Sequence, residues 1–253
     1  MHPIIAKIGP LYIYSYGLMV AIGFAAATLL AYKHANDFGI NKERVIDLGI
    51  VMLICGIIGA RIVYIALNFQ YYIRNPMEII NLTKGGLVWY GAFIFGMIAA
   101  AWFVKKNKIN FWNVADLFAP YIALAQAFGR IGCFLNGCCY GSAVPSSLLL
   151  SVVFPAESIS RYPTQIFSAI ALLLIFVILR IWQKRRHFNG EIFLGYGLLY
   201  SMKRFGVEFF RGDNPKIIYG LTISQLISVA IFIVCSILFI YRYLKWKTSL
   251  KSA

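Results

Sequence analysis

The chain has 253 residues, 60% of them hydrophobic and only 13% charged, with a mean hydropathy of +0.74. That is about half the charge fraction of a soluble domain, and it excludes an ordinary water-soluble fold. A net charge of +15 would suggest nucleic acid in a soluble protein, but here the basic residues cluster beside apolar runs. The charge therefore reads as membrane topology and attraction to anionic membrane lipids, with no nucleic-acid partner.

The N-terminal stretch "MHPIIAKIGPLYIYSYGLMV" has no basic region before its apolar part and no Ala-x-Ala-like site, so it does not read as a removable signal peptide. Runs with few charges follow at 14–33, 45–67, 86–104, 114–135, 163–182, 191–210 and 221–243. A hydrocarbon core of about 30 Å needs about 20 helical residues to cross it. The pattern predicts an all-α integral membrane protein of about seven transmembrane helices, forming a single polytopic domain over 1–253.

The connecting segments alternate in charge. Lys33, Lys42 and Arg44 follow the first run, Lys105, Lys106 and Lys108 the third, Lys184, Arg185 and Arg186 the fifth, and Arg242, Lys245, Lys247 and Lys251 the last. The other connections hold only Arg74 and Lys84, then Arg161, then Arg211 and Lys216. The positive-inside rule places the richer set in the cytoplasm, with the N-terminus outside and the C-terminus cytoplasmic. The longest outward loop, 137–162, contains "PSSLLLSVVFPAESI", too short to span and suited to a small interfacial cap.

Arg61, Arg130, Lys203 and Arg204 are basic residues inside apolar runs; Asp47, Asp116 and Glu208 are acids within or near them. A mid-bilayer arginine costs about 3 kcal/mol on insertion scales, so each faces protein, water or a ligand. Structural ion pairing and snorkelling to the interface are the plain alternatives, the first for Arg61 and the second for Lys203. Arg204 and Glu208 lie four apart on one helix face, with Tyr200 a turn earlier, a stripe that is either a buried ion pair or a wall for a polar headgroup.

The stretch "GRIGCFLNGCCYG", residues 129–141, breaks a greasy run with glycines, Arg130, Asn136 and three cysteines. Glycines permit close backbone approach and a turn, and Arg130 offers a planar donor fork suited to a phosphate diester. Together they describe an anion pocket at the end of the fourth run. Cys133, Cys138 and Cys139 lack C-x-x-C spacing and have no histidine nearby, so no metal and no cofactor are expected. A disulfide among them, or plain packing, remains open.

"YSYGLM", "GARIVY", "GGLVWYGAFIFG", "DLFAPYIALAQAFGRIGCFLNGCCYG", "YPTQIF" and "KRFGVEFFRGDNP" fall in the order of the blocks of a known family. Over residues 8–243 the chain resembles the phosphatidylglycerol–prolipoprotein diacylglyceryl transferases. The resemblance implies seven spans and an enzyme of the bacterial cytoplasmic (inner) membrane with its active site toward the outer leaflet. Its substrates would be phosphatidylglycerol and a prolipoprotein signal peptide, whose lipobox cysteine receives the diacylglyceryl group as glycerol 1-phosphate leaves. It further implies that Arg130 holds the lipid phosphate, that Arg204 is a second essential arginine, that Tyr16 and Asn136 line the site, that Gly141 ends the signature and that Glu208 pairs near Arg204. The chain departs from the pattern at Tyr90, where the family carries a histidine assigned to thiol activation, and at Cys133 and Cys138, where it carries Asn and Glu. A phenol ionises near pH 10 and needs a nearby cation to serve as a base at neutral pH, so Tyr90 is read as that base or as a headgroup contact. The alternatives are a divergent transferase with another acceptor, or a non-catalytic seven-helix lipid-binding or transport protein; transport is disfavoured by the absence of paired halves.

Overall fold

The computed structural model describes residues 2–9, 11–81, 85–154, 158–212, 214–218 and 220–251. Lys84, residues 155–157 of the interfacial segment, and Asp213 of the "KRFGVEFFRGDNP" block lie outside the described residues. The first elements are β1 (Ile4–Ile8), β2 (Leu11–Tyr14), α1 (Ser15–His34), α2 (Lys42–Leu67), α3 (Phe69–Arg74), α4 (Trp89–Lys106) and α5 (Phe111–Asn136). Then come β3 (Val152–Val153), β4 (Ser160–Arg161), α6 (Thr164–Gln183), α7 (Glu191–Glu208), β5 (Lys216–Ile218), β6 (Leu221–Thr222) and α8 (Ile223–Lys251). The strands form only two-stranded pairings, β1 with β2, β3 with β4 and β5 with β6.

The expected helical membrane architecture is present, with one difference in the count. Among the described residues, five helical stretches are long and apolar enough to cross a membrane: Ser15–Phe38, Lys42–Leu67, Phe111–Asn136, Thr164–Gln183 and Ile223–Lys251. The expected third and sixth runs do fold, as α4 and α7, each 18 residues long. Helix α4 ends on Lys105 and Lys106, and α7 carries Glu191, Lys203, Arg204 and Glu208. Charge, not length, sets these two apart from the other five.

The chain divides into two compact units, residues 9–11 and 31–114 in one and residues 1–8, 12–30 and 115–253 in the other. In the first of these, α2 and α4 pack through small residues. A Cβ on Gly91 would stand 2.3 Å from the Gly59 carbonyl oxygen, and one on Gly59 would meet the Phe95 side chain at 2.3 Å. Helix α2 buries Gly56, Gly59 and Ala60 while Ile50, Ile54 and Ile58 stay exposed. That is the reverse of a soluble helix and the expected partition in lipid, where close backbone approach gives the packing energy.

Arg61, 8% exposed in the middle of α2, is satisfied by backbone rather than by an acid. Its guanidinium donates to the carbonyls of Glu78 (2.6 Å), Asn81 (2.8 Å), Ile79 (2.9 Å), Gly85 (3.1 Å) and Gly86 (3.2 Å). The rings of Tyr64 and Tyr72 flank it at 5.7 and 5.3 Å. Gly86 has φ +83° and lies so close that a Cβ would meet Arg61 Nη1 at 2.5 Å, so the position admits only glycine. The expected ion pair is thus replaced by a carbonyl cage, and the role is structural.

In the other unit the apolar core joins α5, α6 and α7 through Ala119, Ala123, Ala127, Leu172, Ile175, Leu179 and Ile192. Asp116, fully buried, accepts from the backbone N–H groups of Gly190 (2.6 Å) and Phe193 (2.9 Å) at the start of α7, with Arg186 Nη1 at 3.5 Å. A carboxylate at a helix N-terminus meets orphan donors and the positive end of the dipole together. Glu191 ties the same turn, accepting from Trp182 Nε1 (2.8 Å) and the His187 backbone N–H (2.5 Å).

The carbonyl cage predicts that Arg61→Lys cannot substitute, because a single ammonium has three donors and no planar fork. Thermal unfolding in detergent should show a loss of about 2–4 kcal/mol, scaled from charged hydrogen bonds of about 1.5–3 kcal/mol each. An unshifted transition would mean that residues 78–86 are held by other contacts.

Candidate functional site

The site is built from the parts of α1 and α5 that lie in the larger unit, from α7 and from the loop after α5. Two glycines bring α1 against α5. A Cβ on Gly23 would lie 2.9 Å from the Ala125 carbonyl oxygen, and one on Gly132 would lie 3.0 Å from Met19 Cβ and 3.2 Å from Tyr16 Cα. Tyr16 is thereby fixed beside the last turns of α5, where its hydroxyl lies within electrostatic reach of Arg130, Cys133, Cys138 and Cys139.

Helix α5 ends in a Schellman motif. Gly137 takes the left-handed conformation (φ +71°), its N–H donates to the Phe134 carbonyl at 3.1 Å, and the Cys138 N–H donates to the Cys133 carbonyl at 3.1 Å. The motif folds Cys138 back onto the side-chain position of Cys133. Cys139 also adopts positive φ (+62°), a conformation that costs a non-glycine residue about 1–3 kcal/mol unless its surroundings enforce it. Here they do: Gln165 Nε2 donates to the Cys138 carbonyl (2.8 Å) and Thr164 Oγ1 to the Cys139 carbonyl (3.1 Å).

As a result the three sulfurs lie within 4.8 Å of one another, with Cys133 buried, Cys138 half-buried and Cys139 exposed. The expectation of no metal rested on sequence spacing, and that argument does not survive, because the turn supplies the convergence that spacing lacked. All five cysteines are free thiols. The Cys138 thiol, just beyond the helix, is held well below the usual thiol range by hydrogen bonds from Cys133 and then Cys139, with smaller help from the Asn136 side chain and the Arg130 charge, against the upward push of burial.

Arg130, half-buried, meets no carboxylate among the described residues; its charge is felt by Lys203 and by Arg204 on α7. Arg204 is partly paired. Its Nη1 lies 2.5 Å from Glu208 Oε2 and its Nη2 donates to Ser224 Oγ at 2.7 Å. Glu208, fully buried on its side chain, also accepts at Oε1 from Asn214 Nδ2 (2.6 Å) and Thr222 Oγ1 (2.8 Å). Its Oε2 meets the guanidinium off the hydrogen-bond direction, so that contact is an ion pair and not a true hydrogen bond. Lys203 places Nζ 4.5 Å from the Tyr200 ring centroid, within electrostatic reach of Arg130 and Arg204. Three basic side chains therefore lie within electrostatic reach of one another, and one of them is paired with a carboxylate.

Gly141 is brought to the site as a packing point. Its N–H donates to the Tyr162 carbonyl at 2.9 Å, and a Cβ would stand 2.5 Å from the Phe210 carbonyl oxygen. That seam ties the loop to the end of α7. Within the segment expected to form a cap, β3 pairs with β4, Val152 with Arg161 and Val153 with Ser160. Tyr90 belongs to the other unit, on α4, 70% exposed and edge-on to Trp89. Asn214, Thr222 and Ser224, which orient the ion pair, are absent from the sequence reading. Their signal is weak: small polar residues just before and at the start of the last apolar run.

The model of the family described as prolipoprotein diacylglyceryl transferase matches residues 3–241. The chain is 39% identical over 238 residues to phosphatidylglycerol–prolipoprotein diacylglyceryl transferase 2 of Clostridium perfringens, covering 92% of each chain. It is 37% identical over 239 residues to the enzyme so named in Clostridium tetani (92% of this chain, 95% of that one), and 34% over 254 residues to that of Listeria monocytogenes (97% and 91%). With the match running nearly end to end and both arginines held in one basic cluster, the chain belongs to the prolipoprotein diacylglyceryl transferase family.

Proposed function

We propose that this protein transfers the diacylglyceryl group of phosphatidylglycerol to the lipobox cysteine thiol of a prolipoprotein, forming a thioether and releasing glycerol 1-phosphate. The observation that carries the reading is the excess of cations. Arg130, Lys203 and Arg204 lie within electrostatic reach of one another with Glu208 as the paired carboxylate, which leaves a net positive site inside apolar helices. Such a site favours an anion, and guanidinium forks match phosphate oxygens.

In this reading Arg130 binds the phosphate of the lipid. Arg204, aimed by Glu208 and Ser224, supplies a second donor set to the same group. The acceptor sulfur attacks the glyceryl carbon, the carbon–oxygen bond breaks, and the electron pair goes to the departing phosphate monoester. Charge on that oxygen grows along the reaction, so preorganised guanidinium donors stabilise the transition state more than the ground state. Tyr16 and Asn136 flank the pocket, and Gly141 holds the loop in register. An open apolar groove of about 590 Å³, lined by Leu150, Tyr162, Phe167, Leu174, Leu199 and Lys203, suits an acyl chain with its headgroup beside the cations. Residues 1–253 act as one polytopic domain of the bacterial cytoplasmic membrane. Helices α4 and α7 complete seven crossings, the N-terminus is outside, the C-terminus is cytoplasmic, and the site faces the outer leaflet. Tyr90, on α4, is assigned the role of base for the acceptor thiol or of a headgroup contact.

With labelled phosphatidylglycerol and a lipobox peptide, the purified protein should form a thioether. Arg130→Ala should lower kcat/KM by roughly a hundredfold, the equivalent of about 3 kcal/mol of lost oxyanion stabilisation. A protein that retains lipid but releases no glycerol phosphate would mark a binding protein instead. Tyr90→Phe separates the two roles of the phenol: abolished turnover with intact lipid binding assigns it proton removal, and near-normal turnover assigns it pocket shape alone.

A further inference from the structure

We infer that Cys133, Cys138 and Cys139 form a three-thiolate site for a soft divalent cation of the zinc type, whose open fourth position receives the acceptor thiol. The inference rests on the transfer reaction proposed above and adds to it the means of making the nucleophile.

The geometry fits. A zinc–sulfur bond of about 2.3 Å puts tetrahedral sulfur ligands about 3.8 Å apart, and the three sulfurs already lie within 4.8 Å of one another. A contraction of at most an ångström or so closes the set. Nothing else needs to move, because the backbone is held on both sides. The Schellman bonds fix Cys138 to Cys133, while Gln165 and Thr164 clamp the carbonyls of Cys138 and Cys139 from α6. The positive φ of Cys139 is maintained by that clamp, so its sulfur is aimed before any ligand arrives.

The donor set selects the cation. No histidine or carboxylate lies in the group, and sulfur-only sites favour soft or borderline ions over calcium or magnesium. Three protein ligands leave one position free, as in catalytic zinc sites, and here the free side is the one where Cys139 is exposed. Charge also balances. Three thiolates and a divalent ion sum to one negative charge, and the Arg130 guanidinium acts on Cys138. Gln165, fully buried, uses its Nε2 on the Cys138 carbonyl while its Oε1 has no partner among the described residues, an acceptor left for a group that arrives with the ligand.

Two side chains of the unit that could serve as bases are already committed elsewhere. His187 is engaged with Glu191 in the turn before α7, and the Glu208 carboxylate is committed to Arg204, Asn214 and Thr222. At the open position the acceptor thiol displaces water and loses its proton to solvent, since a thiol bound to such an ion is deprotonated outright. The bound sulfur donates its electron pair to the glyceryl carbon as the carbon–oxygen bond breaks toward phosphate. The neutral thioether is a weak ligand and leaves, water returns, and the cation stays divalent.

Cobalt(II) is the probe, because thiolate coordination gives it a charge-transfer absorption band. The full-length protein, purified in detergent with a reductant, should develop that band at one cobalt per chain, and zinc should bleach it. Cys138→Ser should lose it while keeping the wild-type thermal transition. A lipobox peptide should shift the band, and the same peptide with serine for cysteine should not. Absence of the band in the wild-type protein overturns the inference, as does a peptide-insensitive band, or a disulfide among the three cysteines in active protein. Metal-stripped protein that forms thioether at full rate overturns the inference and leaves the transfer reaction standing. Zinc-loaded protein that captures the peptide yet makes no thioether supports the site and overturns the transfer reaction.

Discussion

The structure turns on positive charge that apolar helices cannot neutralise by themselves. Arg130, Lys203 and Arg204 share one neighbourhood, and Glu208 is the carboxylate that answers them. In a low-dielectric setting like charges repel far more strongly than in water, so the cluster persists only where water or an anion completes it. Glu208 itself is held rigidly, by Thr222 and Asn214 on one oxygen and Arg204 on the other, so it cannot swing across to satisfy Arg130. The remaining positive charge is thus directed at something outside the chain. The glycine contacts of α1 with α5, and of Gly141 with Phe210, keep those side chains in position without adding bulk that would fill the space between them.

Arg61 and Arg130 show how far sequence carries such an argument. Each is one arginine in a glycine-bearing apolar run, and each was a candidate on the same insertion cost. The fold separates them. Arg61 is enclosed by the carbonyls of Glu78, Ile79, Asn81, Gly85 and Gly86, an approach that no periodicity reveals. Arg130 has no such cage, and its neighbours are other cations. The buried cost was legible; the compensation was not, because it comes from backbone groups that every residue carries. The Arg204–Glu208 pair was legible for the opposite reason, since a spacing of four on a helix fixes proximity before any tertiary contact forms. The span pattern lies between these cases. Five runs are apolar enough to stand alone, while α4 ends on two exposed lysines and α7 carries Glu191 and Glu208, whose burial only their neighbours in the fold justify.

The convergence of the cysteines is not visible from counting residues along the chain. Five residues separate Cys133 from Cys138, and a continuing helix would place them on different sides. The Asn136–Gly137 step instead ends the helix, and a Schellman turn sets the residue after the glycine against the one three before the cap. That signal was present in the sequence as a helix stop. It became chemistry only because thiols occupy both positions of the contact.

The same helix end also explains why one cation can serve both halves of the reaction. The C-terminus of a helix carries partial negative charge, which opposes thiolates gathered there. Arg130, within the last two turns of α5, offsets that effect, and its charge reaches both Cys138 and the Lys203–Arg204 cluster. In the proposed transfer, negative charge leaves a sulfur at the end of α5 and appears on a phosphate oxygen at the cluster. Both positions lie in the field of one guanidinium. Charge that migrates within such a field needs little reorganisation of its surroundings, and an environment already oriented for both ends of the path is where electrostatic catalysis is most effective.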